Sequence, residues 1–566
     1  MANTKRYWSG LDELRETEAF KTIQEQEFPG AQSVDEFLTD DRLESTHTGR
    51  RDFLKFMGFS LTAATLVACE TPVIKSIPYT NKPEEITPGV ANHYASTYYD
   101  GQDYVNVLVK TREGRPIFVK SNAQTGVGRV NARVNASVLS LYDSARLTAP
   151  QVDGADSDWA TVDQRVSTAM AKEGRKVLLT NTVLSPSLKR AIATTGLEHV
   201  QYDAIDYSAF VKASEMNFGV ATFPSFKFDA ATAIVTIGAD FLGTFGDSVY
   251  YAENWAKNRK PENGSMSRMH AFETNMSLTG SNSDYRTMVK PSEQGKVATA
   301  LLQAITGQGG SSSLPEAVQA AVASAAQDLK KAGSKGLVLA GSNELDVQRV
   351  VNAINSALGS VGTTVTYDGT DLFKGSAGAV QSLTADMQNG GIEMLIIADC
   401  NPAYDAPDAD KFVAALAKVN TTVSTSMFND ETASRCSIIA PTHHWLESWG
   451  DLAIDRYRID LVQPTISPLH ASRGWGESLL TWTGNAVDWY TFVRQTHASD
   501  YTSEAMYTNA DWNKSVHNGF LGWNEQVPET PAYRSEGVAD AVGRLNSQVG
   551  GTFELALYQK TTMGAG

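Results

Sequence analysis

The sequence predicts an α/β protein in which a small amino-terminal β module precedes domains built on parallel sheets. From residue 159 onward, short apolar runs alternate with longer amphipathic runs. This alternation is typical of parallel sheets that helices cover on both faces. Before it, residues 103–120 form two β-rich runs on either side of Glu113-Gly114. Because such a dipeptide suits a tight turn, these residues predict a β-hairpin.

The later elements follow from the same reasoning. Amphipathic runs predict helices over about 159–173, 185–196, 294–306 and 314–332. Short apolar runs predict buried strands at 176–180, 233–238, 336–340, 394–398 and 436–440. The expected divisions are a leader (1–68), a tether and β module (69–150), two Rossmann-like α/β domains (151–310 and 311–475), and a tryptophan-rich segment with a linker (476–566).

Residues 46–69 carry two signals for transport and anchoring. Arg50-Arg51, followed by Phe53, Leu54 and Lys55, resembles a twin-arginine export signal, and the apolar run from 56 to 68 has the length of a signal h-region. The run ends in Leu-Val-Ala-Cys, which resembles a lipoprotein signal-peptidase site. The sequence therefore predicts a chain exported in the folded state and acylated at Cys69 on the periplasmic face of the cytoplasmic membrane; a buried free thiol is the alternative for this cysteine.

Composition limits the possible partners and cofactors. The net charge of −16 argues against nucleic acid as a partner. The three cysteines, Cys69, Cys400 and Cys436, include no Cys-x-x-Cys pair. Because an iron–sulfur cluster normally takes four thiolates and a c-type haem needs Cys-x-x-Cys-His, we expect neither cofactor in this chain. Cys400 and Cys436 border apolar runs, which favours buried and unreactive thiols.

Several segments, taken in order, resemble the molybdopterin oxidoreductase superfamily. The hairpin resembles its amino-terminal β module, and the segment that ends in Leu-Tyr-Asp-Ser-Ala-Arg146 is similar to the Leu-Tyr-Asp-Pro-x-Arg segment closing that module. Asp-Cys-Asn-Pro402 is similar to a Gly-x-Asn-Pro loop at a strand end. Residues 430–441 resemble a Glu-Thr-Ala-x-x-Ala-Asp-x-x-Leu-Pro segment, and Trp-Leu-Glu-Ser-Trp-Gly450 occupies the place of a following Glu-x-x-Gly.

The departures from that superfamily are informative. Residues 90–150 contain none of the four cysteines that usually hold a cluster in catalytic members. Asp206, Ser208 and Ser214 lie in about the region where the family places its molybdenum ligand, but ordinary loop or helix-start roles are favoured for all three. A Gly-x-Gly-x-x-Gly fingerprint is absent from the sequence.

The export signal, the lipoprotein site and the molybdopterin-like segments without cluster cysteines occur together in this chain. This combination resembles the B subunit of bacterial alternative complex III, a quinol-oxidising respiratory assembly. The resemblance implies a structural and docking electron-transfer subunit without a catalytic site, metal or cofactor in this chain. It further implies partners that hold iron–sulfur clusters, c-type haems and, in integral membrane subunits, the quinol site. Two alternatives stay open: an active periplasmic molybdopterin-dependent reductase or dehydrogenase of the polysulfide or sulfoxide type, and a lipid-anchored binding protein.

Three further groups of residues invite interpretation. His443, His444 and Glu447 could suggest a metal site, but hydrogen bonding or packing between domains is the favoured prediction. The charged residues Asp451, Asp455, Arg456, Arg458 and Asp460 predict a solvated surface or a set of interface ion pairs. Tryptophans crowd the last quarter of the chain, where we favour a subunit interface over a substrate pocket; they are residues 445, 449, 475, 482, 489, 512 and 523.

Overall fold

The computed structural model describes residues 87–563 except 88, 126–128, 309–312, 369, 455–457, 501–507 and 523–529. The chain divides into two compact units, residues 1–82 and 83–566, and every described residue lies in the second. The export and lipidation residues Arg50, Arg51, Phe53, Leu54, Lys55 and Cys69 therefore lie outside the described part. No helix within that part is both long and apolar enough to cross a membrane.

The second unit contains nineteen described strands. They are β1 (Asn92–Tyr99), β2 (Tyr104–Arg112), β3 (Arg115–Ser121), β4 (Gln151–Val152), β5 (Ala155–Asp156), β6 (Lys176–Thr180), β7 (Glu198–Gln201), β8 (Ser225–Phe226), β9 (Ala233–Ile237), β10 (Arg268–Glu273), β11 (Tyr285–Met288), β12 (Gly336–Ala340), β13 (Val365–Thr366), β14 (Met394–Ala398), β15 (Thr421–Ser424), β16 (Ile438–Ile439), β17 (Gly450–Leu452), β18 (Arg458–Val462) and β19 (Phe520–Gly522).

The described α-helices number sixteen. They are α1 (Ala132–Leu141), α2 (Trp159–Ala171), α3 (Pro186–Thr195), α4 (Ser208–Phe218), α5 (Ser248–Lys257), α6 (Leu278–Ser281), α7 (Gln294–Thr306), α8 (Glu316–Ala332), α9 (Leu345–Leu358), α10 (Ala377–Gln388), α11 (Pro402–Asp405), α12 (Ala409–Leu416), α13 (Trp475–Trp482), α14 (Trp489–Asp500), α15 (Asn509–Asn518) and α16 (Val538–Ser547).

The predicted hairpin is confirmed as β2 and β3, which pair antiparallel. Glu113 and Gly114 both have positive φ (53° and 76°), as a two-residue primed turn requires. Strand β1 adds to β2 and completes a three-stranded sheet. Valines 105, 107, 109 and 119 of this sheet pack on α1 residues, so the sheet and α1 form one small β module.

The largest sheet has the strand order β5-β4-β16-β15-β14-β6-β7. Strands β16, β15, β14, β6 and β7 run parallel, and β4 and β5 extend the edge antiparallel. Helices α2, α3 and α13 pack on one face and α10 and α12 on the other. Because helices cover both faces, β14 is apolar throughout and β6 is apolar between its two end residues.

A second parallel sheet has the order β11-β10-β9-β12. One face packs on α7, α8, α9 and α16, and the other packs on a cluster of aromatic side chains. Each sheet takes strands from both sides of residue 310. The expected boundary at 310 therefore does not coincide with the division between the sheets, because the chain leaves the large sheet after β7 and returns to it at β14.

Candidate functional site

The main cavity lies where the parallel strands of the large sheet end. Asn181 follows β6, Tyr202 follows β7, Asp399 follows β14 and Ser426 lies just beyond β15. All four residues line the cavity. In open α/β sheets, ligands bind outside the carboxyl ends of the strands, and this cavity has that position.

The cavity has two adjoining compartments, which we call the aromatic compartment and the acidic compartment. They measure about 500 Å³ and about 330 Å³, within or near the size range of ligand sites. Five wall residues belong to both: Asp100, Asn181, Asp399, Met427 and Thr442.

The aromatic compartment takes its name from six large aromatic residues in its wall: Tyr98, Tyr99, Trp445, Trp449, Trp475 and Trp489. Four of them use their polar atoms within the protein, and one of these bonds is weak: the Tyr99 hydroxyl donates to the Thr182 carbonyl at 3.5 Å. The Trp475 Nε1–H donates to the Asp399 carboxylate (2.8 Å), and the Trp489 Nε1–H donates to a main-chain carbonyl (2.7 Å). The Tyr98 hydroxyl donates to Asp100 (3.1 Å). These bonds fix the rings and leave the wall largely apolar.

The acidic compartment is lined by five aspartates: Asp100, Asp203, Asp399, Asp405 and Asp430. Among the described residues that line either compartment there is no lysine and no arginine. Asp399 is accessible from the cavity, but the protein around it displaces bulk water and raises its pKa to about 6; burial raises the pKa of Asp405 to about 6. Burial, helped by Asp103, also raises the pKa of Asp100. Carboxylates concentrated without a cation suit a positively charged ligand and repel a phosphate.

Asp399 holds an unusual backbone conformation in this wall. Its φ is 55°, in the left-handed region that favours glycine, although aspartate tolerates it better than most residues. In the Gly-x-Asn-Pro pattern that Asn401-Pro402 matches, this is the glycine position. This chain therefore has a carboxylate at the end of β14, although glycine would satisfy the backbone conformation at that position.

The amide groups at the end of β6 are occupied by carboxylates of this chain. Thr182 donates from its amide to Asp203 (2.7 Å), and Gly375 donates to the same side chain (2.9 Å). At the start of α3, the Ser187 amide donates to both oxygens of Asp451 (3.2 and 3.3 Å). A helix amino terminus after a strand is a common phosphate site, and here Asp451 fills it.

Asp451 is the centre of a buried network. Its carboxylate also accepts from the hydroxyls of Ser185 and Ser187 and contacts His497 Nε2 at 3.1 Å. Burial alone would raise its pKa, but the hydrogen bonds from His497 and the two serines outweigh burial and lower that pKa. The network joins α3, β17 and α14.

The prediction of a solvated surface over residues 451–460 is wrong for the described carboxylates, whereas Arg458 and Asp460 do form an ion pair. Asp451 is 1% exposed and Asp460 is 4% exposed. Asp460 accepts hydrogen bonds from Tyr104 (2.5 Å) and from Arg458 (2.6 Å). Both aspartates are buried because distant segments supply donors, and Asp455 and Arg456 lie outside the described residues.

The two histidines make hydrogen bonds, as predicted. His443 Nε2 lies 3.0 Å from the Ser472 carbonyl. His444 Nδ1 accepts from the Leu446 amide, and its Nε2 contacts Ser140 Oγ at 3.0 Å. Burial, reinforced by Arg146, lowers the pKa of His444 to about 4. Within the described part of the chain, no group of three or more His, Cys, Asp or Glu residues has a metal-binding arrangement.

The residues near the family's metal-ligand region have local structural roles. Asp206 accepts from the amides of Ser208 and Ala377, which start α4 and α10. Ser208 begins α4, and the Ser214 hydroxyl donates within the same helix to the Phe210 carbonyl. None of the three lines either compartment.

The two described cysteines are half-buried in the large sheet. Cys400 follows β14, and Cys436 precedes β16. Burial raises the pKa of the Cys400 thiol well above its usual range and raises the pKa of Cys436 to about 12. Both shifts favour the protonated thiol, and the expectation that the two cysteines are unreactive stays a prediction.

The tryptophans of the last quarter were expected at a subunit interface, and their positions in the structure correct that expectation. Trp475, Trp482, Trp489 and Trp512 are all buried within the unit. Trp475 and Trp482 pack against the large sheet, whereas Trp489 and Trp512 join α3 to α14 and α15. Trp445 and Trp449 are half-buried in the cavity wall, and Trp523 lies outside the described residues. The described tryptophans thus build the core and the cavity.

Sequence reasoning missed the acidic compartment. Asp100, Asp203 and Asp399 lie far apart in sequence, and only the fold brings them to one wall. One signal was available: Asp399 and Asp203 each closely follow an apolar or β-rich run, and parallel strand ends meet at the same edge of a sheet.

No protein-family model matches the chain. The menaquinone reductase molybdopterin-binding-like subunit of Nitratidesulfovibrio vulgaris (strain Hildenborough) is 23% identical over 504 residues, covering 77% of this chain and 72% of that protein. Among solved structures, acetylene hydratase from Pelobacter acetylenicus aligns with a TM-score of 0.52 at 10% identity, covering 76% of this chain and 80% of the other. The chain has a molybdopterin-oxidoreductase-like fold. The predicted fold class is thereby confirmed.

Proposed function

We propose that this chain is a structural and docking subunit of a membrane-bound, quinone-linked electron-transfer complex of the alternative complex III type. The fold supports the proposal, and so does the relative from Nitratidesulfovibrio vulgaris, which is named as a subunit of a menaquinone reductase. In this role the α/β body holds redox partners at fixed distances and does no chemistry itself.

One observation carries this proposal. Carboxylates of the chain itself occupy the region at the strand ends where a cofactor of this fold would be expected. A molybdopterin cofactor carries phosphate, which requires cations or free amide donors. Asp451 accepts the Ser187 amide near the start of α3, and Asp203 accepts the Thr182 amide after β6. The acidic compartment adds five aspartates without a lining lysine or arginine. These residues do not fit a phosphate-bearing pterin, so we propose that the chain holds none.

The redox groups of the complex would then belong to partners. The sequence offers three cysteines, and two of them are the half-buried Cys400 and Cys436. We propose that an iron–sulfur module, c-type cytochrome subunits and integral membrane quinol-binding subunits surround this chain. Electrons pass from quinol through the clusters and haems of those partners.

The location of the chain is a further part of the proposal. Export through the twin-arginine route would rest on Arg50 and Arg51, and acylation on Cys69. Mass spectrometry of the mature amino terminus tests acylation, because an unmodified residue 69 would refute it. A variant with Arg50→Lys and Arg51→Lys is expected to stay in the cytoplasm; periplasmic protein in that variant would refute the export route.

Elemental analysis of the purified native complex tests the role most directly. We expect iron, and no molybdenum above background. Near one molybdenum per chain would instead support the active reductase or dehydrogenase. We also expect a c-type cytochrome to co-purify, since a lipid-anchored binding protein would have none.

Deletion of the gene segment for residues 69–566 tests the docking role. We expect the complex not to assemble and quinol-dependent respiration to be lost, with recovery when the full chain is supplied in trans. Normal quinol oxidation in membranes from the deletion strain would contradict the proposal.

A further inference from the structure

The aromatic compartment has the size and construction of a site for a small organic ligand. Its volume of about 500 Å³ falls in the range of ligand pockets. Ligand pockets typically combine aromatic walls with a few polar groups, and this wall has six tyrosines and tryptophans. Because Trp475, Trp489 and Tyr98 already donate within the protein, their rings are held in place without a ligand.

The charge of the wall limits the kind of ligand. Asp100, Asp399 and the buried Asp451 line the compartment, and no described lining residue is a lysine or an arginine. Asp100 is held by neutral donors: the amides of Gln102 and Asp103 and the hydroxyl of Tyr98. Asp399 accepts the Trp475 Nε1–H and is open to the cavity. A cation placed beside Asp399 would gain attraction from its carboxylate.

The chemistry of the wall favours an organic cation over a metal ion. Hard metal ions take six or more oxygen ligands, and the described residues include no metal-binding group of three or more His, Cys, Asp or Glu. Tryptophan and tyrosine faces attract ammonium groups, and aromatic cages with a carboxylate are typical of sites for alkylated amines. Trp445 and Tyr98, whose rings meet edge to face at 5.3 Å, are two of the six aromatic residues in this wall.

We propose that the aromatic compartment binds a small organic ammonium ion, with its charged nitrogen beside Asp399 and its carbon atoms against the tryptophan and tyrosine rings. The proposal does not depend on the quinone-linked role, because it rests only on the walls of the cavity.

Calorimetric titration of the purified protein with choline and with putrescine tests the proposal. A neutral isostere of choline, 3,3-dimethyl-1-butanol, has the same shape without the charge. We expect at least one of the two ammonium ions to bind and the isostere not to bind. Absence of binding by both ammonium ions, or equal binding of the isostere, would overturn the proposal. Calcium chloride is titrated in parallel, and tighter binding of calcium than of either amine would also overturn it.

Substitutions then locate the site. Asp399→Asn should lower ammonium affinity at least about tenfold, because it removes a charge-assisted contact. Asp153→Asn is the matched control, since Asp153 also has a positive φ (52°) but lies at the exposed turn between β4 and β5. Unchanged affinity in Asp399→Asn, or an equal loss in Asp153→Asn, would contradict the assignment.

A second pair of variants covers the case in which Asp399→Asn does not fold. Trp445→Phe keeps an aromatic face in the wall, whereas Trp445→Leu keeps apolar surface without one. The leucine variant should bind the ammonium ion several-fold more weakly than the phenylalanine variant, by the size of a cation–π contact. Equal affinities in the two variants would argue against an aromatic cage.

Discussion

Arg146 and Glu447 form a buried bidentate ion pair. Arg146 Nη2 lies 2.6 Å from Glu447 Oε2, and Nη1 lies 3.2 Å from Oε1. Both side chains are almost completely buried. Glu447 also accepts the amides of His444 and Leu469. The pair therefore joins the end of the β module to the segment after β16, and it links two of the motifs that resemble the molybdopterin oxidoreductases.

Removing one member of this pair should destabilise the protein strongly. Arg146→Met leaves the Glu447 carboxylate buried without its cation, which typically costs about 3–5 kcal/mol. The free energy of unfolding from urea titrations measures this effect. Arg544→Met is the matched control, because Arg544 makes a similar bond to Asp346 (2.6 Å) but is 59% exposed. The control should lose at most about 1 kcal/mol, and equal losses would contradict the prediction.

The Asp451 network should contribute stability that depends on pH. Asp451→Asn replaces an acceptor of the Ser187 amide and the serine hydroxyls by a group that also donates, and we expect a loss of about 3 kcal/mol at pH 7. Because the folded state lowers the pKa of Asp451, this contribution is complete above the ordinary carboxyl pKa. It is lost as pH falls through the lower folded value.

Urea titrations of wild type and Asp451→Asn at pH 7 and pH 3 measure that difference. Asp158→Asn serves as the control, since Asp158 caps the exposed start of α2 and asparagine caps a helix equally well. The control should stay within about 0.5 kcal/mol of wild type. A difference between wild type and Asp451→Asn that grows toward low pH would refute the prediction.

His444 should make the fold less stable in mild acid. Its pKa of about 4 lies below the ordinary value for histidine, so between pH 6.5 and 4 the unfolded chain binds a proton that the folded chain does not. This group therefore contributes a loss of up to about 1.4 kcal/mol per pH unit as the pH falls through that range. His444→Gln should flatten the slope of unfolding free energy against pH, and the same change at the exposed His517 serves as the control. An unchanged slope in His444→Gln would show that another group is responsible.

The thiols of Cys400 and Cys436 should react slowly in the folded protein. Burial keeps both protonated at pH 8, and the thiolate is the reactive form. Iodoacetamide followed by peptide mass spectrometry should find both unmodified in the folded chain and both alkylated after denaturation. Rapid alkylation of either residue in the native protein would contradict the burial argument.

The sequence was sufficient for the elements whose pattern is local. β6, β12 and β14 begin and end at the predicted residues, because strands covered on both faces have a continuous apolar centre. The hairpin turn was predictable from Glu113-Gly114. Strand β1 was missed, because its Asn, His, Ser and Thr residues give no apolar run and it depends on pairing with β2.

The burial of Asp451 and Asp460 could not be predicted from local sequence. Their donors, Ser187 and Tyr104, lie more than 250 residues away in the chain. From sequence alone, a charged run whose hydrogen-bond partners lie far away in the chain cannot be distinguished from a charged run on the solvated surface. The tryptophans pose the same difficulty, since a large aromatic residue suits a core, a cavity wall or an interface equally well.

The return of the chain to the large sheet has a consequence for biosynthesis. β6 pairs with β14, which the ribosome adds about 220 residues later. At roughly 5–20 residues per second, this edge of β6 therefore stays unpaired for roughly 10–45 s. The four-stranded sheet, whose strands lie between residues 233 and 340, can close during that interval. The nascent chain must therefore keep an unpaired apolar strand from aggregating while the inserted sheet folds first, which makes this stretch of synthesis the stage at which a chaperone would be needed most.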